Sequence, residues 1–309
     1  MSTDARHRLQ LVAAFAVVYV VWGSTYLGIR IGVQDLPPAL LAGVRNAIAG
    51  LVLAIIARSR GQPLPVNPRD WLHACVLGVL LVTLGNGLVT WSEQWVQSNQ
   101  AALIATTSAL WIAWFGTFGP RGHVLTPRAK LGLVIGFAGA LLMLLPGRHF
   151  SFDHFNAQLV ILFSTLCWGL GAIYGRSVTV GVQPLMQSAM MLFTGGTLLV
   201  ILGCADGEAA HWHWSVRGIG ALAYLTVFGS CLAYTTYMWL LRHTTPDKLG
   251  TIAYVNPAIA LILGWLVLGE RVAGVRLVGM LVILVGVILV TTRFGKRVKL
   301  LTVPENEQS

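Results

Sequence analysis

The sequence predicts an all-α integral membrane protein with ten transmembrane helices in two inverted five-helix repeats. The composition, ten apolar segments and an internal repeat lead to this prediction. Of the 309 residues, 56% are hydrophobic and only 10% are charged, and the mean hydropathy is +0.73. Soluble domains carry about 25% charged residues. So few charges cannot cover a water-exposed surface, which argues against a soluble enzyme, a disordered chain and a coiled coil.

Ten segments approach the length of about 20 apolar residues that a helix needs to cross a bilayer. They are 10–29, 37–57, 71–92, 101–119, 129–146, 157–175, 183–205, 218–241, 249–269 and 274–292. The fifth and tenth have the shortest apolar cores, so the count depends most on them. The connections are short and leave no room for a second soluble domain.

The basic residues predict how the chain is oriented. With the N-terminus in the cytoplasm, fifteen of the 21 Lys and Arg residues fall on cytoplasmic segments and five on outer segments. The positive-inside rule favours this orientation and places both termini in the cytoplasm, including the tail 293–309. The net charge of +10 does not predict nucleic-acid binding, because the basic residues are divided among six separate cytoplasmic segments.

An internal repeat relates the two halves of the chain. When the chain is aligned with itself at a shift of 146 residues, several identical residues coincide: Trp22 with Trp168, Arg30 with Arg176 and Gly50 with Gly196. Residues 10–146 and 157–292 are therefore predicted to be two copies of one five-helix unit. Because five is odd, the second copy starts from the opposite side of the membrane. Inverted repeats are typical of secondary transporters, whose substrate site lies at the repeat interface. The alternative is chance matching in a chain rich in Gly and Trp.

Several stretches resemble one known family. They are VWGSTYLGIR at 21–30, PPALLAGVRNAIAG at 37–50, GNGLVTWSEQ at 85–94, YVNPAIALILGWLVLGE at 254–270 and LVGMLVILVGVILVT at 277–291. The chain is similar to the YedA-like branch of the EamA transporters, within the drug/metabolite transporter superfamily. The resemblance implies ten helices in two inverted repeats, an inner-membrane location and export of amino acids or other small metabolites. One departure is the loop 119–123, which lacks the acid of Gly269-Glu270-Arg271 in the second half.

Two charged residues are candidates for substrate binding. Arg45 lies inside an apolar span, where an arginine costs at least about 2.5 kcal/mol. We expect it to face an aqueous cavity and bind an anionic group such as a carboxylate; a buried pair or a snorkelling side chain is the alternative. Glu93, at the outer end of the third span, is its candidate partner, or else a simple interfacial charge. No Asp or Glu occupies the middle of a predicted span, so coupling to protons has little support.

Polar and aromatic residues complete the predicted site. Asn86 lies between two glycines and either binds substrate or bridges helices. Asn256 precedes Pro257, where we expect a kink, because proline removes a backbone donor. The remaining candidates are aromatic and either line a cavity or pack helices: Trp22, Trp168, Tyr234 and Tyr254.

These features predict a secondary-active exporter of small metabolites or amino acids that works by alternating access between its two halves. The chain has no Walker, metalloprotease, nucleophile-elbow or dinucleotide motif, so we expect no enzyme activity, no cofactor and no metal site. The expected partners are a small-molecule substrate and the lipid bilayer. Glycine stripes at 132–139 and 279–286 are interpreted as packing within one subunit, or alternatively as a homodimer interface. A passive channel and an intramembrane enzyme are the alternative functions.

Overall fold

The computed structural model describes residues 3–118, 124–144, 152–178, 181–244, 251–271 and 274–291, and all regular structure in them is helical. The helices are α1 Thr3–Gly32, α2 Pro38–Ser59, α3 Pro68–Ser92, α4 Ser98–Ala105, α5 Ser108–Phe115, α6 Pro127–Leu144, α7 Phe152–Ser177, α8 Pro184–Ala205, α9 in three consecutive parts (Val216–Tyr224, Leu225–Leu232 and Ala233–His243), α10 Ile252–Leu268 and α11 Val275–Thr291. A 3₁₀ turn at Glu208–His211 precedes α9. The all-α prediction is confirmed for this part of the chain.

Each of the ten predicted segments coincides with a helix or a pair of helices. Within the described ranges, six helices are long and apolar enough to cross a membrane: α1, α2, α3, α7, α8 and α9. Two apolar helices at the C-terminal end, α10 and most of α11, are shorter than 18 residues. The chain therefore has a multi-pass character, and the count of ten crossings stays a prediction. The loop 119–123 and the tail 293–309 lie outside the described residues.

Helices α2 and α8 begin in the same way and pack against each other. Pro38 and Pro184 occupy the first helical turn, where the missing backbone donor costs nothing. At the contact, glycines bring the two backbones together: a Cβ on Gly43 would lie 2.7 Å from the main-chain nitrogen of Val200. Only glycine permits such an approach, which is a common way for membrane helices to associate.

Helices α6 and α11 also pack closely through glycines. A Cβ on Gly132 would lie 2.8 Å from the carbonyl oxygen of Gly286, and one on Gly139 would lie 2.5 Å from the main-chain nitrogen of Ile283. The glycine stripes of these two helices thus face each other inside one chain. The prediction of packing within the subunit is confirmed. The second segments of the two halves, α2 and α8, thus pack against each other, and so do the fifth segments, α6 and α11. Helices that are equivalent in the sequence repeat are therefore in contact.

The fourth predicted segment is interrupted, although it contains no proline. Helix α4 ends at Ala105 and α5 begins at Ser108. Between them the hydroxyls of Thr106 and Thr107 donate to carbonyl oxygens three residues back, at 2.6 and 2.7 Å. Such local bonds compete with helical ones. In the other half, α10 runs without interruption through Pro257, so the kink expected there stays a prediction.

The middle of α3 and the middle of α9 are π-helical, over Gly78–Gly87 and Leu225–Leu232. These segments overlap when the chain is shifted by the repeat distance. Short π-helical segments within α-helices often occur at functional sites, because they widen the helix and leave backbone groups free. Both segments carry residues of the site described below.

The four cysteines all lie in apolar runs of the sequence, but they do not all lie in the core of the structure. Cys167 is buried and Cys231 half-buried, but Cys75 and Cys204 are exposed on the outside of the helix bundle. An apolar run does not distinguish a core position from one that faces lipid, because both environments are apolar.

Candidate functional site

Arg45 lies at the centre of a buried polar network. Its side chain is only 2% exposed, and its Nη2 donates to the side-chain oxygen of Asn86 on α3. Its Nε is buried and has no hydrogen-bond partner. Arg45 therefore bonds to a neutral amide, and one of its donors remains free. A buried guanidinium without an anionic partner is suited to accept one from a ligand.

Asn46, the next residue, ties this network to α9. Its amide nitrogen donates to Ala42 O at 2.8 Å and lies 3.4 Å from the same Asn86 oxygen, while its own oxygen accepts from the Ser230 hydroxyl at 2.9 Å. Three helices thus meet through side chains in the interior of the helix bundle. Neither Asn46 nor Ser230 was predicted from the sequence. Asn46 carried a signal, since it is a second polar residue beside Arg45 in an apolar span.

The π-helical segment of α9 passes beside the guanidinium. Gly229 lies in that segment, and a Cβ there would be 3.9 Å from Nη1 of Arg45 and 3.0 Å from Thr25 on α1. The carbonyl oxygen of Gly229 accepts from Trp22 Nε1 at 3.3 Å. A glycine of this π-helical segment therefore lies directly beside the buried charge.

Three of the four predicted aromatic residues lie beside this network. The ring of Trp22 lies edge-on to Tyr234, with centroids 5.4 Å apart, and 5.0 Å from the ring of Tyr237. Trp168 of α7 packs against α3 next to Asn86, where a Cβ on Gly85 would be 3.0 Å from its ring. Trp22, Trp168 and Tyr234 belong to one packed cluster. Aromatic walls around a charged group suit a ligand with both polar and apolar parts.

The structure does not join Tyr254 and Asn256 to this network through any described contact. Tyr254 packs with residues of α5, α6 and α11 in a separate apolar cluster. Asn256 faces α1, because its carbonyl oxygen would lie 3.1 Å from a Cβ on Gly23. Its side-chain oxygen is buried without a hydrogen-bond partner. Their predicted contact with substrate stays a prediction.

Glu93 is fully enclosed at the end of α3. Its side chain is 0% exposed, and neither carboxylate oxygen has a hydrogen-bond partner. Arg30 donates to the main-chain oxygens of Glu93 and Gln94, the latter at 2.8 Å, and not to the carboxylate. Arg45 was expected to pair with Glu93, but in the structure it donates its hydrogen bond to Asn86 instead.

Glu270 links the second half to the start of α4. Its carboxylate accepts from the main-chain nitrogens of Ser98 and Asn99, at 2.9 and 3.1 Å, and from the Ser98 hydroxyl at 2.7 Å. It is 6% exposed. A carboxylate on the first amide groups of a helix is a stabilising cap. The sequence showed this acid as part of a loop motif and contained no sign of its partner.

A separate cavity of about 350 Å³ lies between α1, α9 and α10. Its walls are mainly apolar, with a hydrogen bond of 2.5 Å between the hydroxyls of Ser24 and Tyr224. Within the described ranges, no three His, Cys, Asp or Glu side chains lie close enough to hold a metal ion.

A transporter family model, described as EamA-like, matches the chain twice, over residues 10–145 and 156–292. The chain belongs to the EamA-like transporter family. The bounds of the two EamA matches lie within one residue of those of the two units predicted from the internal repeat, and the inversion of these units stays a prediction. The Arg45 network joins them, because α2 and α3 lie in the first match and Ser230 in the second.

Relatives extend this EamA assignment. The protein named "Uncharacterized inner membrane transporter YedA" of Escherichia coli K12 is 38% identical over 261 residues, covering 84% of this chain and 83% of that protein. "Uncharacterized transporter YoaV" of Bacillus subtilis is 23% identical over 283 residues, covering 91% and 96%. A solved crystal structure shares the fold with a TM-score of 0.64, at 19% identity, over 91% of this chain and 97% of that one.

Proposed function

We propose that this EamA protein is a secondary-active exporter of small metabolites or amino acids, and that its substrate binds at the Arg45 network. The observation that supports this is an enclosed guanidinium with a free donor, held between the two matched halves and bordered by aromatic rings. The EamA family and the relatives named as transporters support the transport function.

The proposal includes an arrangement in the membrane. We place the chain in the inner membrane, as the name of the YedA relative suggests, with both termini in the cytoplasm. Residues 10–146 and 157–292 form the two inverted repeats, and alternating access is a rocking of one repeat against the other. Gradient-driven transport is proposed because the sequence has no nucleotide-binding motif.

In the proposed complex, Arg45 binds an anionic group of the substrate through its two-pronged guanidinium. Asn86 then exchanges its bond to Arg45 for one to the substrate, and Asn46 holds Asn86 in position. Trp22 and Trp168 cover the apolar part of the substrate. Loss of the carboxylate in an analogue is expected to remove binding, because the desolvated guanidinium is then left without its anion.

Counterflow in proteoliposomes tests this function. A thermal-shift screen of amino acids and small organic acids on purified protein first selects a radiolabelled substrate. Vesicles loaded with unlabelled substrate should then accumulate label transiently, because a carrier exchanges substrate across the membrane. Arg45→Gln should abolish this exchange, and Arg217→Gln, which changes an exposed arginine, should not.

Two outcomes contradict the transport function. Accumulation that does not depend on internal substrate indicates a passive channel. Chemical conversion of the added compound by purified protein indicates an intramembrane enzyme. A third outcome, unchanged exchange in Arg45→Gln with normal membrane insertion, removes Arg45 from the site.

A further inference from the structure

Glu93 differs from the other described buried acids because its carboxylate accepts no hydrogen bond. Asp70 accepts from Gly181 N at 3.1 Å, and Glu270 accepts three bonds from the start of α4. The carboxylate of Glu93 is as buried as these but accepts none. An enclosed carboxylate without partners is strongly disfavoured in its charged form, and adding a proton removes that penalty.

The neighbouring charges do not supply the missing partner. Arg30 is used for main-chain oxygens at the end of α3, and Arg45 is bonded to Asn86. Glu270 is a second carboxylate within electrostatic range of Glu93. Two neighbouring acids resist being charged together, and the one with three hydrogen bonds keeps its charge more readily.

We propose that Glu93 is the proton-binding site of this carrier, occupied while the end of α3 is closed and emptied when that end opens to water. This rests on the proposed transport function. In the closed state the carboxyl holds one proton on an oxygen. On opening, water hydrates the group, the proton leaves to solvent and a carboxylate remains. Closing again requires a proton, so the conformational change is linked to proton binding.

The position of Glu93 connects it to a contact between the two halves. Five residues after Glu93, Ser98 begins α4, which Glu270 holds by its first amide groups. The side chains of Asn99 and Gln100 there are buried and have no hydrogen-bond partners. A displacement of α4 from Glu270 would therefore give water access to Asn99 and Gln100, and we take Glu93, which is within electrostatic range of Glu270, to be hydrated in the same opening.

Other titratable and charged groups surround Glu93 and need separate variants. They are Tyr26 and Arg30 on α1, Arg45 on α2 and Glu270 after α10. The Nδ1 of His154 on α7 lies 3.1 Å from the carbonyl oxygen of Trp95, which is two residues along the chain from Glu93, so His154 is also replaced as a control.

Infrared spectroscopy of the purified full-length protein tests the proposal without a substrate. Wild type at neutral pH should show the C=O band of a protonated carboxyl, and this band should disappear reversibly as the pH is raised. Glu93→Gln should lack the band. Glu208→Gln is the matched control, because Glu208 lies in an outer connection and accepts bonds from Ala39 N and Leu40 N. It should keep the band.

Three results overturn the proposal. One is a protonated-carboxyl band that persists in Glu93→Gln, and another is its absence from wild type across the accessible pH range. The third is a loss of the band when sodium replaces choline at constant pH, which indicates a metal cation at the site instead. His154→Asn should leave the band unchanged. Failure of counterflow with the band intact refutes the transport function alone, so the two failures are distinguishable.

Discussion

Replacing Gly139 with alanine tests the packing of α6 against α11. An alanine Cβ at this position would lie 2.5 Å from the main-chain nitrogen of Ile283 and 2.9 Å from the carbonyl oxygen of Gly279. Both neighbours are backbone atoms, which cannot rotate away as a side chain does. The two helices must therefore move apart.

The size of the effect follows from these distances. Ordinary contact of a Cβ begins at 3.4 Å, so α6 and α11 must separate by roughly 0.9 Å at Gly139. A gap of about 0.5–1 Å loses a quarter to a half of each dispersion contact, and overpacking costs about 1–3 kcal/mol. Alanine regains about 1 kcal/mol of helix propensity. The net loss in the free energy of unfolding is therefore up to about 2 kcal/mol.

Gly220→Ala provides the matched control, because Gly220 is also helical but has no atom within 4 Å of the position that a Cβ would occupy. There the propensity gain is unopposed, and the free energy of unfolding should rise by up to about 1 kcal/mol. Thermal unfolding in one detergent should place the melting temperature of Gly139→Ala below that of Gly220→Ala by up to about 5 °C. Equal melting temperatures would refute the close-packed geometry of the glycine stripes.

Three further variants probe the site and its surroundings. Arg45→Lys should reduce counterflow at least about tenfold with normal insertion, because a lysine cannot provide the planar two-pronged contact; full activity would show that charge alone suffices. Glu270→Gln should lower the free energy of unfolding by about 1–3 kcal/mol through the loss of charge-assisted caps, measured by thermal unfolding, whereas exposed Arg271→Gln should change it little. Trp22→Phe should cost about 0.5–1.5 kcal/mol of stability by losing the bond to Gly229, and no change would mean that water replaces it.

The sequence predicted the helices well, because apolar runs of membrane length are a strong signal. It also identified Arg45, since a charge in such a run needs an explanation. The break after α4 was not predicted, because Thr106 and Thr107 have no marked effect on helices until their hydroxyls bond to the backbone. Pro257 was the stronger signal, but it lies in a continuous helix.

The partners of the site residues were harder to predict. Ser230 lies 184 residues from Asn46, and no periodicity in either helix relates them. The pairing of Arg45 with Glu93 was inferred from opposite charge and similar depth, but depth does not give the direction in which a side chain points. Rotation about the helix axis places Arg45 on Asn86. Long-range contacts of this kind depend on the packing of whole helices.

The π-helical segments of α3 and α9 have more residues per turn than an α-helix, and they lie in the two helices that carry Asn86 and Ser230. Winding one residue of such a segment into α-helical geometry turns everything beyond it by about 100° around the axis. Neither end of the helix has to unravel for this to happen. Rotation of parts of α3 and α9 about their axes would thus move the polar side chains near Arg45 away from the guanidinium. The pairs α2–α8 and α6–α11, which are packed through glycines, would keep their positions.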